Sequence, residues 1–252
     1  MALSIQIWTT GEPVPEAFDA RGRFFAMFER ALCEAGLEAD LRGGHLELTN
    51  IEAVSREELP ELGSSDAVII TGSPAFLREE QPWMQRLCAK TRELVEANIP
   101  TLGVCFGHQI LGEALGGYVE KNPRGREIGT VEFRVERDDP LFPTEDGSNR
   151  GWVQMSHLDS VTRLPPGAEV LGSTALEPYA AVRFSEWAWG VQFHPEMDAE
   201  IVRHYLAARA AALLVEGLDA PALVAATRES SYGSRLLEQF IRLSAARKSA
   251  RI

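Results

Sequence analysis

The sequence predicts an α/β fold: a mixed, mostly parallel sheet with helices on both faces, an antiparallel extension, and a C-terminal helical tail. Three observations carry this reading. Apolar runs alternate with helical segments over the first 117 residues. A stretch of short β-rich segments separated by Gly/Pro turns follows, from 118 to 193. From Asp198 onward the chain is rich in Ala and Leu and reads as helix. Strand, helix, strand, helix is the order of a parallel sheet covered on both faces.

Taken in order, 3-LSIQIW-8 reads as a short strand and the Gly/Pro-rich 11-GEPVPE-16 as a loop. Phe24, Phe25, Phe28, Leu32 and Cys33 then recur at helical spacing. The β-branched run 66-DAVIITGSP-74 reads as a buried strand ending in a turn. Residues 83–96 read as a helix with Trp83, Leu87, Cys88, Leu94 and Val95 on one side, and 101-TLGVC-105 as the next buried strand. Residues 128–136, 168–174, 180–184 and 187–193 read as the antiparallel or mixed part of the same sheet. Trp187 and Trp189 alternate on the last of these and are read as packing. The helical tail breaks near 216-EGLDAP-221. With no linker in view, residues 1–200 are taken as one domain and 201–252 as a helical extension packed on it.

Composition narrows the function classes. The 252 residues are 45% hydrophobic and 25% charged, ordinary for a globular protein, and the net charge of −12 disfavours nucleic acid as a partner. The one basic cluster, 247-RKSAR-251, is read as a solvated, frayed end. The three cysteines, Cys33, Cys88 and Cys105, lie far apart, which argues against a disulfide framework and against a zinc site. No signal peptide and no apolar run of membrane length is visible, so the expected home is a reducing cytoplasm with no membrane partner.

The chemistry begins at Cys105. Gly103-x-Cys105-x-Gly107 falls where a strand gives way to a helix, a cysteine version of the nucleophile elbow. A strained turn there thrusts the side chain out of the sheet, and flanking glycines remove side chains that would collide with the neighbouring strand and helix. The N-terminal dipole of the helix favours thiolate, and the Phe106 N–H is available to an oxyanion. A free cysteine with glycines nearby is as often a small core residue, so a second site has to decide. It lies at 190-GVQFHPEMD-198. A Val/Phe-rich strand ends in His194, and Glu196, two residues on, projects to the same side and can orient the imidazole.

These residues resemble the class I, triad-type glutamine amidotransferases. The resemblance rests on GVCFGHQ and FHPE, with 71-TGSP-74 and 155-MSHLD-159, and covers roughly residues 3–200. It implies a flavodoxin-like sheet and a triad of Cys105, His194 and Glu196. It also implies an oxyanion loop at Gly72–Ser73–Pro74 working with Phe106. The family usually has Gly at the place of Ser73, where only a backbone N–H is required. Gln109 corresponds to a position that holds the substrate glutamine. Ser156, His157 and Leu158 fall where the family holds its α-amino and α-carboxylate groups. The implied reaction is hydrolysis of the glutamine γ-carboxamide through a Cys thioester, with no metal and no organic cofactor. The layout is similar to the glutaminase portion of GMP synthases without the synthetase half, so a stand-alone protein serving a separate synthase or acceptor subunit is expected.

Rival readings remain beside it. Relatives that cleave γ-glutamyl peptides keep the same triad. A Cys-type α/β-hydrolase would draw its acid from before His194, with Asp159 the candidate. A non-catalytic binding module on the same shell would need no triad. His108 is read as support for the elbow, and His45 and His204 as surface residues. Asp159 either ends a strand or orients His157, the former preferred. Arg124, Arg126 and Glu127 either order a loop at the site mouth or form a solvated turn.

Overall fold

In the computed structural model, which describes residues 2–142 and 149–250, the parallel strands at 3–9, 67–70 and 101–104 lie where the sequence predicts. β1 (Leu3–Thr9) is followed by α1 (Pro15–Arg21) and α2 (Phe24–Leu32). The chain then passes Gly36, whose φ of 94° only glycine adopts readily, into α3 (Glu38–Arg42). β2 (Leu46–Glu52), β3 (Ala67–Ile70), α4 (Pro82–Glu96), β4 (Thr101–Val104) and α5 (Phe106–Ala114) complete this part of the chain. β5 (Tyr118–Lys121), β6 (Glu127–Val135), β7 (Arg150–His157), β8 (Asp159–Arg163), β9 (Glu169–Ser173), β10 (Ala181–Ser185) and β11 (Ala188–Val191) follow. The chain ends in α6 (Ala199–Ala208), α7 (Ala210–Val215), α8 (Ala220–Ala226) and α9 (Tyr232–Ser249).

The nine-stranded sheet has the order β2-β1-β3-β4-β11-β10-β9-β6-β7. β2, β1, β3, β4 and β11 run parallel, and β10, β9, β6 and β7 continue it antiparallel. β5 and β8 pair separately. Period-two alternation gives the sheet two apolar faces. On one, Ile5 and Ile7 of β1 meet Phe28 and Leu32 of α2 and Leu236, Leu237 and Phe240 of α9. On the other, Trp8, Val68 and Ile70 meet Trp83 and Leu87 of α4 and Phe106 and Ile110 of α5.

The sequence reading passes over β2, β5, β7 and β8. β2 is an edge strand burying only Leu46 and Ile51, so LELTNIE shows no apolar run. β7 is likewise an edge, and its buried positions, Val153, Gln154, Met155 and His157, include two polar side chains. The basic tail is a correction. Arg247 and Lys248 belong to α9 and are docked, not frayed. Lys248 Nζ donates to Asp66 Oδ2 (2.7 Å) and to the Ala2 carbonyl (2.5 Å), and the Arg247 guanidinium lies 4.8 Å from the Trp187 ring centroid. Arg251 lies outside the described residues. Trp187 and Trp189 pack edge-to-face at 6.1 Å. Among the described residues, no helix is long and apolar enough to cross a membrane.

Candidate active site

Three parallel strands, β3, β4 and β11, bring their C-terminal ends together, the edge at which open α/β sheets collect their ligands. Thr71 and Gly72 follow β3, Cys105 follows β4, and His194 lies three residues past β11. Register fixes this convergence, because Val104 pairs with Val191 and the Cys105 N–H donates to the Val191 carbonyl at 2.8 Å.

Cys105 is held at φ 51°, ψ −101°, outside the regions open to an ordinary L-residue. Such strain persists only where the surroundings over-determine it. Here the two elbow glycines let the elements close on each other. A Cβ on Gly103 would sit 2.3 Å from the Gly107 carbonyl oxygen in α5, and one on Gly107 would sit 2.2 Å from the Ile70 carbonyl oxygen in β3. The collisions are with helix and strand, as the motif predicts. Phe106 is the first residue of α5, where an N–H has no intrahelical acceptor.

His194 and Glu196 are both buried, and His194 Nδ1–H donates to Glu196 Oε1 at 2.8 Å. That bond leaves Nε2 as the ring's other working atom. Burial opposes the imidazolium, but the Glu196 carboxylate and the Cys105 sulfur outweigh it and raise the His194 pKa to about 10. The Asp159 carboxylate is engaged elsewhere: it accepts from Arg78, a buried carboxylate beneath a half-exposed guanidinium. Glu196, not Asp159, is therefore the acid on the imidazole, which removes the arrangement a Cys-type α/β-hydrolase requires.

Gly72 lies against the imidazole, where a Cβ would be 2.9 Å from His194 Cε1. Its carbonyl accepts from the hydroxyls of Thr10 (2.7 Å) and Thr71 (3.0 Å). A trans peptide places the Ser73 N–H on the opposite side from that carbonyl. The Ser73 hydroxyl donates to the Thr10 carbonyl (2.6 Å) and accepts from the Ala75 N–H (3.2 Å). The side chain that departs from glycine thus ties the loop to the end of β1.

Two narrow lobes of cavity meet at Cys105. One, about 50 Å³, is lined by Phe76, Gln109, Arg126 and the 156–159 segment, and the other, about 30 Å³, by Val14, Phe24, His194 and Tyr205. Ser73, Ser156 and Arg209 line both. The Ser156 hydroxyl is buried with no hydrogen-bond partner. Gln109 Nε2 donates to the Asp159 carbonyl (2.9 Å) and to Gln192 Oε1 (3.2 Å). His157 contributes its position in the wall while its ring is committed behind it: Nδ1–H donates to the Asp159 carbonyl (3.0 Å), and Nε2 lies 3.5 Å from Glu127 Oε2. Burial raises the pKa of Glu177, whose carboxylate takes the Ser160 hydroxyl and the Tyr179 N–H on the same side. Asp159 therefore opens β8 and also holds the His157 ring, through its carbonyl.

Several placements were not legible beforehand. Arg126 is at the mouth, paired with Glu216 of the C-terminal extension at 2.7 and 2.9 Å, while Arg124 is exposed. Glu127 is buried and accepts from the Thr174 hydroxyl. His108 is buried against Gly190 and Phe184 behind the elbow. His45 is exposed and His204 half-exposed. Tyr205 and Arg209 were missed. An arginine interrupting 206-LAARAAAL-213 was the available signal. Among the described residues no cluster of three or more His, Cys, Asp or Glu is placed to hold a metal.

Solved structures share this architecture. A glutamine amidotransferase from Thermotoga maritima superposes with a TM-score of 0.72 at 20% identity, covering 97% of this chain and 98% of that one. A glutamine amidotransferase from Methylobacillus flagellatus gives 0.68 at 21% identity, covering 97% and 92%. At these identities the likeness is one of fold. By sequence, the chain is 40% identical to the glutamine-hydrolysing GMP synthase of Thermosipho africanus over 159 residues, 62% of this chain and 28% of that protein. It is 32% identical to that of Lachnospira eligens over 180 residues, 71% and 31%. The chain thus spans under a third of these relatives' length. Residues 16–211 match the model of the family described as glutamine amidotransferase class-I, a span that takes in the elbow, the His194–Glu196 pair and Arg209. Motifs, sheet order and family match coincide on the same residues, and the chain belongs to the class-I glutamine amidotransferases.

Proposed function

We propose that this protein hydrolyses the γ-carboxamide of glutamine through a cysteine thioester. The observation that carries the reading is the buried His194–Glu196 pair, bonded at 2.8 Å, beside a cysteine held in a strained elbow. Cys105 is the nucleophile. With Nδ1–H held by Glu196, which favours the imidazolium, Nε2 takes the proton of the thiol and leaves Cys105 as the thiolate. The sulfur attacks the carboxamide carbon, and the N–H groups of Phe106 and of the Gly72–Ser73 loop receive the oxyanion. On collapse the C–N bond breaks, the nitrogen takes the proton from His194 Nε2, and ammonia leaves. Water then attacks the thioester, His194 takes its proton, and the C–S bond breaks to give glutamate and free Cys105.

Gln109, Ser156, His157 and Leu158 form the glutamyl side of the site in this reading, and no metal or organic cofactor takes part. We take residues 1–200 as the amidotransferase unit and 201–252 as an extension on it that reaches the mouth through Arg126–Glu216. The relatives named for GMP synthesis support delivery of the ammonia to a separate synthase or acceptor protein. A cytoplasmic setting suits a reactive free thiol. The test is ammonia and glutamate release from glutamine set beside release from γ-glutamyl dipeptides. Stoichiometric ammonia from glutamine, abolished in Cys105→Ala, is the expected result. No ammonia from glutamine, with or without cell extract, and no amine from any γ-glutamyl amide overturns the reading.

A further inference from the structure

Besides the histidines, four Asp, Glu or Arg side chains line the two lobes at Cys105: Glu12, Arg126, Asp159 and Arg209. Three are matched. Glu12 lies 3.4 Å from Arg23, Arg126 is held bidentately by Glu216, and Asp159 is held by Arg78. Arg209, at the C-terminal end of α6, is the exception among the described residues lining the cavity. It makes no ion pair, its Nε is buried without a hydrogen-bond partner, and its guanidinium rests 5.5 Å from the Tyr205 ring centroid.

A buried donor without an acceptor is costly, and a guanidinium is a fork made for carboxylate. Burial and the neighbouring charge of Arg126 act against its proton, while Tyr205, Cys105 and the more distant Glu216 carboxylate act for it. A bound anion would relieve the first two. Arg209 also lines both lobes, so it can reach an anion on either side of the sulfur.

We propose that the Arg209 guanidinium is the carboxylate-receiving group of this site, binding an anionic carboxylate of the substrate beside Cys105 and so setting which γ-carboxamides are accepted. The identity of the substrate rests on the hydrolase reading above, whereas the anion site does not. The carboxylate has two possible sources: the α-carboxylate of the glutamyl group, or a carboxylate on the leaving amine, as in a γ-glutamyl amino acid.

Alkylation separates the anion site from catalysis. Iodoacetate and iodoacetamide differ in charge and little in size, and their rates at Cys105 are read by mass spectrometry. The ratio of iodoacetate to iodoacetamide rates should fall at least fivefold in Arg209→Met and stay within twofold of the original in Arg209→Lys. An unchanged ratio in Arg209→Met overturns the proposal. Should Arg209→Met fail to fold, the unaltered chain still decides. Propionate should slow iodoacetamide alkylation of Cys105 where propionamide at equal concentration does not, and equal protection by both overturns it. Four substrates then locate the carboxylate: glutamine, glutamine α-amide, γ-glutamylglycine and γ-glutamylmethylamide. A ten- to hundredfold loss of kcat/KM in Arg209→Met that spares the α-amide assigns the α-carboxylate. A loss confined to γ-glutamylglycine assigns the leaving group, and equal loss on all four overturns the proposal. If the unaltered chain turns over none of them, with or without cell extract, the hydrolase reading fails while the alkylation ratio still stands as the test of Arg209.

Discussion

Replacing Gly107 by Ala adds one methyl group at the point where helix α5 touches strand β3, and its cost follows from the distances there. The new Cβ would lie 2.2 Å from the Ile70 carbonyl oxygen and 2.9 Å from its carbonyl carbon, where ordinary contact begins at 3.4 Å. The two elements must therefore separate by about 1.2 Å (3.4 minus 2.2). Neither can yield easily, since β3 pairs with β1 and β4 and the start of α5 carries the strained Cys105. Overpacking of this kind costs up to about 3 kcal/mol, and helix propensity returns about 1 kcal/mol for Gly→Ala. A net loss of about 2 kcal/mol corresponds to a melting point lower by about 4–8 °C in a chain of this size. The larger effect is on chemistry. Moving Cys105 about 1 Å from Gly72 and His194 costs on the order of 10²-fold in rate. The assay is thermal unfolding together with ammonia release and the rate of Cys105 alkylation, at a temperature where the variant is folded. Gly167→Ala is the control: φ is 82° with no atom within 4 Å, so it bears local strain of about 1–2 kcal/mol and should leave turnover unchanged. A Gly107→Ala protein with unaltered melting point and turnover would refute the elbow argument.

Five further outcomes are expected. His194→Ala should nearly abolish turnover while Glu196→Gln retains more, with non-additive effects in the double variant; full activity in His194→Ala sinks the triad. Because the folded pKa of His194 lies above its unfolded value of about 6.5, the pair's stabilisation is complete below about pH 6.5 and is lost as pH rises toward 10; Glu196→Gln should flatten that slope. A glutamine-analogue diazo ketone should label Cys105 alone, since burial pushes the Cys88 thiol up to about 12 and burial with nearby glutamates raises that of Cys33; labelling chiefly at either would reject the assignment. Burial and the charge of His157 lower the His108 pKa to about 3, so its fold contribution is present above about pH 6.5 and lost as pH falls toward 3, about 2 kcal/mol by pH 5; an unchanged acid slope in His108→Gln contradicts this. Free glutamine should be a poor substrate for this chain alone. Arg126, held by Glu216, and the 156–158 wall line the lobe of about 50 Å³ and narrow the approach to Cys105. A kcat/KM of about 10⁴ M⁻¹s⁻¹ or more would show otherwise.

The grouping of Cys105, His194 and Glu196 was readable from sequence because each member sits inside a short local pattern. Glycines two residues either side of Cys105 are a backbone requirement written into neighbouring positions, and His194 with Glu196 is a two-residue spacing at a strand end. The parallel strands were readable for a similar reason: burial on both faces leaves continuous apolar runs at 67–70 and 101–104. Edge strands β2 and β7 bury too little to leave such a mark. The remaining features depended on contacts between distant parts of the chain. Arg126 finds Glu216 across 90 residues, Arg78 finds Asp159 across 81, and Lys248 finds Asp66 across 182. Arg209 reaches Cys105 only because α6 folds back beside the loop that follows β1. A charge in a one-dimensional pattern carries no record of its partner, so pairing and isolation are decided by the tertiary structure. The sequence by itself marked Cys105, His194 and Glu196 as a group and the sheet that carries them. Which charges around them are neutralised, and which is left without a counter-ion, was decided by packing.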